Sequence, residues 1–596
     1  MSDLTTERHV DPVTLTVVGK HLENIVDEMV RVMVRSSYSP IFSESWDFSC
    51  MIFDAECNLI SQAEMNPAIM CAGIFTVPAT VEAVGRESFK PGDVVAQNDP
   101  YMGSCHMPEH MLLRPMFFGD ELVGFAANIG HIAEIGGKAV GSFAADATDI
   151  FQEGLRLPPL KLMDEGRYCE DAWRVILANH RTPKYTWGDF HAMIASLVTA
   201  ERRIAMLLER HSTDAFRAIT EALLDHAEQW MRAELRGLPN GEYRFEDCME
   251  DDGVSDGPYY IRAAVVVEDD EVIVDYSDSD AQATGPINCT HVVSSSAAYT
   301  AILQALEVRD VPLNGGAFRP ITVIAPPGTI VNVKFPGPCV GGNTETQPRV
   351  IETVLGALAE ALPDRIGAAC GGTGNIFLYG GVHPETGEFY THVHWEGPGW
   401  GGRPGQDGND AQLIPSASLA KNTPIEVVES RFPWRLRECE LRRDSGGAGE
   451  FRGGLGVRRT FEVHAPSITV SALMDRTRVK PWGTRGGGPG TNAGIRVRRR
   501  GSEDFETFSE AFGTHSPSKF TNVVLEDGDQ VMLLGPGGGG WGDPYRRDAD
   551  RVLADVRRGF VSRDAAERDY GVVLVDSGDG GLAMDERATA EMRRRV

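Results

Sequence analysis

Residues 91–137 read PGDVVAQNDPYMGSCHMPEHMLLRPMFFGDELVGFAANIGHIAEIGG. "PGDVVAQNDP" predicts a short buried strand that enters a turn at Asn98-Asp99-Pro100, and "ELVGFAANIGHIAEIGG" predicts another strand that ends in a glycine pair. At these strand ends the chain writes His-x-x-Glu twice. His106 is followed by Glu109 and, 25 residues after the first histidine, His131 is followed by Glu134. Polar sites in α/β proteins gather where strands give way to loops, because a rigid sheet aims side chains that the loops leave free.

Working outward, apolar residues after Pro12 (Leu15, Val18, Leu22, Ile25, Val26, Met29, Met33) recur at helical spacing, an amphipathic helix of about five turns. Pro40 and the serines of "RSSYSP" stop it, and "WDFSCMIFDAECNLISQAE" then alternates as strand, turn, strand. Helical patterns fill Thr186–Leu238, a hairpin signal surrounds Glu268-Asp269-Asp270, and "SSSAAYTAILQALEV" and "RVIETVLGALAEALP" are helices. From Gly371 the chain turns glycine-rich and β-rich, and a small helical tail starts at Asp548. The fold class expected is a mixed α/β (α+β) protein in several layers. Its units are an N-terminal α/β domain (1–185), a helical segment (186–240), a central α/β domain (241–370), a β-rich domain (371–547) and a C-terminal tail (548–596).

Composition narrows the function classes. The 596 residues carry a formal net charge of −29, which disfavours nucleic acid and anionic membranes as partners. The short basic runs Arg496–Arg500 and "MRRRV" read as solvated faces. Ten cysteines contain no C-x-x-C pair, so neither a disulfide framework nor a zinc ribbon is expected, and reduced thiols fit a cytoplasmic protein. The polar N-terminus has no signal-peptide character, and no membrane span is expected. "GPGGGGWGD" (535–543) lacks the Gly-Lys-Ser/Thr ending of a phosphate loop and reads as turns. "GGTGN" (371–375) is an isolated glycine cluster, and no G-x-S-x-G elbow occurs.

Imidazole nitrogen and carboxylate oxygen are ligands for a divalent ion such as Zn, Mn or Fe. Two histidines with one or two carboxylates can hold one ion and leave a position open for water. Asp47, inside the apolar "WDFSCMIF", is a plausible further carboxylate, since a lone ionised group there is costly. His110 and Cys105 compete as ligands. Asn343 and Glu345 in "GGNTETQPR" stand before a helix, which Thr344 or Thr346 would cap; the other reading has the pair lining the cleft.

Seven ordered motifs, "NDPYMGSCHMPEH", "ANIGHIAEIGG", "GSFAADATDIFQEGLRLPP", "GGNTETQPR", "NTPIEVVESRFPWR", "DSGGAGEFRGGLG" and "GPGGGGWGDP", together resemble the hydantoinase B/oxoprolinase family over Asp11–Leu574. The resemblance implies a hydantoinase B-like fold and a metal held by Asp47, His106, Glu109 and His131, with Glu134 nearby and Glu134 or Glu109 as catalytic base. Two departures stand out: Glu109 and Glu134 replace the family's commoner Asp, and Ser104-Cys105 replaces Gly-Thr. The implied partner is a hydantoinase A-type, actin-like ATPase subunit, in a hetero-oligomer with two or more copies of each chain. That partner binds ATP and phosphorylates the carbonyl oxygen of a small-molecule substrate. The activity expected is ATP-dependent opening of a hydantoin, 5-oxoproline or lactam ring, with water attacking the activated carbonyl in this chain. Ketone carboxylation of acetone or acetophenone is the alternative, and a non-catalytic scaffold for the ATPase is the third reading.

Overall fold

The computed structural model describes residues 10–306, 312–577 and 581–594; the polar first nine residues and the last two of the C-terminal basic run lie outside these. A seven-stranded sheet forms the first layer. Its strands are β1 (Phe48–Asp54), β2 (Leu59–Gln62), β3 (Val94–Gln97), β4 (Glu109–Phe118), β5 (Glu121–His131), β6 (Leu160–Asp164) and β7 (Arg167–Tyr168), in spatial order β2-β1-β5-β4-β3-β6-β7. Every pairing in it is antiparallel.

Both faces of this sheet are covered. Cys50, Ile52, Leu112 and Ala126 point to one core, together with Val18, Leu22, Val26, Met29 and Met33 of the helix Pro12–Ser36 and with Phe190, Met193 and Leu197 of the helix Pro183–Leu208. Their neighbours Met51, Phe53, Met111, Leu113, Phe125 and Ala127 point to the other core. Alternation with burial on both sides explains the near-continuous apolar run in β1, all of whose residues are buried. The first helix is 25 residues long, about seven turns at 3.6 residues each, longer than its apolar stripe suggests.

The second core also takes Val77 and Val81 from the segment Pro67–Val84, which by length and composition is apolar enough to cross a membrane and which the sequence reading passed over. Here it is broken into two helices, Pro67–Met70 and Gly73–Val84, the longer with Pro78 inside. A four-stranded sheet follows: β8 (Gly241–Asp251), β9 (Asp256–Glu268), β10 (Glu271–Asp275) and β11 (Ile321–Ile324), in the order β11-β10-β9-β8. The helices His291–Leu306 and Gln347–Ala361 pack in the same core.

The β-rich region holds two further four-stranded sheets around a third core containing Phe377, Tyr379, Trp434, Phe461 and Phe520. Its glycine runs differ from the expected turns. Gly537–Gly540 lie buried and form no turn, and their backbones bond to several neighbouring segments: Gly538 N to Gly454 O (3.0 Å), Gly539 N to Ala369 O (2.9 Å) and Gly540 N to Gly488 O (2.8 Å). A Cβ on Gly537, Gly538, Gly539 or Gly540 would stand 1.8, 2.0, 2.0 or 2.1 Å from a carbonyl oxygen of Ser445, Trp400, Trp482 or Ala448. Glycine is required here for close backbone approach, which no turn statistic reports. A buried ionic network joins this region to the central layer: Asp475 contacts Arg349 (3.0 Å) and Lys519 (2.8 Å), and Arg476 contacts Asp247 (2.6 Å) and Glu352 (2.7 Å).

Candidate functional site

Strand register assembles the site. β5 lies between β1 and β4, and Glu109, the first residue of β4, sits directly opposite His131, the last residue of β5. On the other side Phe48 pairs with Gly130, and His131 N donates to Asp47 O (3.1 Å). Asp47, His131 and Glu109 thus stand side by side at one end of three neighbouring strands. His106 joins them from the turn before β4. Trp46 precedes Asp47 with φ 59°, an uncommon conformation for a bulky residue, and the Lys421 ammonium lies 3.3 Å from its ring centre.

All four side chains are buried. His106 Nε2 is 3.5 Å from Glu109 Oε1, His131 Nδ1 is 3.9 Å from Asp47 Oδ2, and the two imidazole centres are 5.3 Å apart. Phe143, from the "GSFAAD" motif, packs 5.6 Å from both rings. Each carboxylate is held by an asparagine amide: Asn66 Nδ2 donates to Asp47 Oδ1 and Asn343 Nδ2 to Glu109 Oε1, both at 2.9 Å. His106 Nδ1 donates to Val340 O (3.0 Å) and so carries the proton, which leaves a lone pair on Nε2.

Burial sets the charge states. It pushes His106 down to about 4 and His131 well below the usual imidazole range, where the nearby His106 and His110 add to the effect. Both rings are therefore neutral at pH 7. Burial pushes Asp47 up to about 6, against the opposing Asn66 hydrogen bond, and pushes Glu109 well above the ordinary carboxylate value, with the charge of Asp47 adding to the rise.

Among the described residues no three His, Cys, Asp or Glu side chains crowd together as a formed ion cage. The donor set nonetheless fits a divalent ion. His106 Nε2, His131 Nε2 and Glu109 Oε2 are buried without a hydrogen-bond partner, a costly condition that a coordinated cation would relieve. Two neutral imidazoles and two carboxylates, with amide and carbonyl groups orienting them, match the donor chemistry of a catalytic metal.

The other candidates divide. His110 alternates with Glu109 along β4 and points to the opposite face, against Phe190 and His180, with Nδ1 on Pro108 O (3.1 Å). Cys105 is buried beside Glu109, and burial keeps its thiol protonated, its Sγ directed to Ala68 O. Glu134, expected beside the ligands and as a base, is bound elsewhere. Its Oε1 accepts from Arg181 Nη1 (2.7 Å) and Gly136 N (2.6 Å), and its Oε2 from Arg181 N. With both oxygens occupied it braces the loop after β5 instead of facing the histidines. Asn343 touches Glu109, whereas Glu345 turns to Thr373. Neither Thr344 nor Thr346 caps the helix, because a π-helical turn, Gly342–Thr346, runs straight into it.

Sequence reasoning missed Asn66, Phe143, Glu153 and Arg181. Phe143 and Glu153 lie in a motif that marks the family without revealing a role, and nothing local in "EMNPAI" or "NHRTP" distinguishes Asn66 or Arg181.

The sequence model described as Hydantoinase B/oxoprolinase matches residues 11–544. The B component of a putative D-/L-hydantoinase from Pseudomonas sp. (strain NS671) is 30% identical over 100% of both chains. The crystal structure of the ATP-dependent caprolactamase from Pseudomonas jessenii superposes with a TM-score of 0.91 at 32% identity, covering 98% of this chain and 100% of that one. A nucleotide-free acetone carboxylase structure shares the fold, with a TM-score of 0.88 at 19% identity over 98% of this chain and 83% of that one. The chain belongs to the hydantoinase B/oxoprolinase family.

Proposed function

We propose that this chain is the B-type component of an ATP-dependent cyclic amide hydrolase that opens a hydantoin, 5-oxoproline or lactam ring. The observation that carries the reading is the convergence of Asp47, His106, Glu109 and His131 at the ends of β1, β4 and β5, with three donor atoms buried and unpartnered. The names of the relatives, a hydantoinase B component and an ATP-dependent caprolactamase, support the substrate class and a partner chain. In this reading the partner is an actin-like ATPase that phosphorylates the carbonyl oxygen. The two chains assemble in more than one copy each, in the cytoplasm.

The four side chains would hold a divalent ion, Zn, Mn or Fe, whose chemistry is to polarise oxygen and to lower the pKa of water. The protein's own residues do the rest. His106 and His131 present neutral lone pairs. Asn66 and Asn343 fix one oxygen of each carboxylate, and Glu109, which would hold the ion through one oxygen, accepts with the other the proton of the water that adds to the activated carbon. The ring nitrogen leaves with a proton, and a second water releases phosphate from the acyl phosphate. Burial of the whole site keeps the phosphorylated species from bulk water.

The test is purification with the ATPase partner, elemental analysis, and ATP-dependent turnover of hydantoin, 5-oxoproline and caprolactam. His106→Ala and His131→Ala are expected to lose the ion and turnover while the partner's ATPase persists in part. Full ring opening by a folded double variant refutes the reading. Bicarbonate-dependent product from acetone or acetophenone would replace it with carboxylation, and a complex without metal whose ATPase alone depends on this chain would leave a scaffold.

A further inference from the structure

The loop Cys339–Val340 reaches the site from the central layer, and its Val340 carbonyl receives the Nδ1 proton of His106. Something must hold that carbonyl in place. Glu153, wholly buried and contributed by the turn after Ile150–Gln152, accepts both backbone N–H groups of the loop on a single oxygen: Cys339 N at 2.7 Å and Val340 N at 2.9 Å on Oε1. The two segments are linked again where Ile150 N donates to Pro336 O (2.9 Å). One residue, Val340, thus has its N–H drawn to a carboxyl oxygen and its carbonyl drawn to an imidazole.

We infer that Glu153 is a positioning residue for His106: by clamping Cys339–Val340 it fixes the His106 tautomer that turns an Nε2 lone pair toward Glu109 and His131. The inference rests on the proposed reading of His106 as an ion ligand, but the tautomer itself does not. A carbonyl can only accept, so a fixed Val340 O admits only the Nδ1–H form. If the loop is released, the carbonyl drifts and the Nε2–H form, which cannot ligate through Nε2, becomes populated. Outer partners of this kind commonly alter metal affinity by about 10- to 100-fold.

The experiment uses the full chain, metal-free and labelled with 15N-histidine, and reads tautomers from long-range 1H–15N correlations. The His106 signal is identified by its loss in His106→Gln. Wild type is expected to show Nδ1–H. Glu153→Gln retains an oxygen acceptor and should look the same. Glu153→Asp keeps the carboxyl group but falls one methylene short of the loop, and Glu153→Ala removes the acceptor. Both should populate Nε2–H and bind Zn2+ about 10- to 100-fold more weakly. Unchanged tautomer and Zn2+ affinity in folded Asp and Ala variants overturn the inference; if the Ala variant fails to fold, the Asp variant decides. A tautomer shift in a protein whose wild type binds no Zn2+ or Mn2+ leaves the clamp standing and refutes the ion-site reading.

Discussion

Loading a divalent ion into the site should expel protons, in a number that the buried carboxyls dictate. Without the ion, burial and the charge of Asp47 raise Glu109 well above the ordinary carboxylate value, while Asp47 titrates near 6. The histidines contribute little, because burial lowers His106 to about 4 and holds His131 well below the usual imidazole range. Ion binding requires both carboxylates ionised. The release should therefore grow as pH falls from 7 to 5: Asp47, titrating near 6, passes from largely ionised to largely protonated over that range and adds its proton to the one Glu109 gives up. Calorimetric titration of the metal-free protein with Zn2+ or Mn2+, in buffers of different ionisation enthalpy, counts these protons directly. Glu109→Gln should lower the count and keep the Asp47 slope. A Cys105 thiolate ligand would also release one proton, so Cys105→Ser must leave the count unchanged. Release below about 0.3 proton at both pH 6 and pH 7 in a protein that binds the ion refutes the assigned protonation states, and a count untouched by Glu109→Gln refutes Glu109 as a ligand.

Further outcomes follow from the same geometry. Glu134→Gln should keep turnover within about threefold, because Glu134 braces Arg181 and Gly136; a loss of 100-fold or more, the typical scale for a missing general base, would restore it as a catalytic group. Lys519→Met removes the buried ammonium shared by Asp475 and Asp251 and leaves each with one arginine partner, Arg349 and Arg478, so it should cost up to about 3–5 kcal/mol in urea unfolding. Gly538→Ala, whose Cβ would meet Trp400 O at 2.0 Å, should cost more than about 3 kcal/mol, against about 1 kcal/mol for Gly119→Ala, where φ is +62° and no atom lies within 4 Å. Metal-free protein should lose thermal stability between about pH 5 and 8. Burial raises Glu153 and Glu345 to about 8, so their favourable contribution is complete below the ordinary carboxyl value of 4.5, fades as pH climbs and is gone above about 8. A Tm that rises over that range contradicts the assignment.

The local elements were legible because their physics is local. Helical spacing from Val18 to Met33 and alternation in Phe48–Asp54 report a buried stripe and a strand whatever they pack against. The paired His-x-x-Glu motif marked two strand ends, the start of β4 at Glu109 and the end of β5 at His131, for the same reason. Its second half was misleading: Glu134 lies three residues beyond a strand that ends at His131, and the chain there turns it toward Arg181. The sequence alone determined the candidate ligands Asp47, His106, Glu109 and His131. Only the tertiary structure decided that register sets Glu109 opposite His131, that Asn66 and Asn343 hold the carboxylates, that Glu153 grips the loop bearing the Val340 carbonyl, and that Gly537–Gly540 are a packed core instead of turns. These depend on contacts between residues up to 234 apart, and such contacts leave no periodicity in the chain. What a buried glycine or carboxylate does is set by the atoms that other segments bring against it.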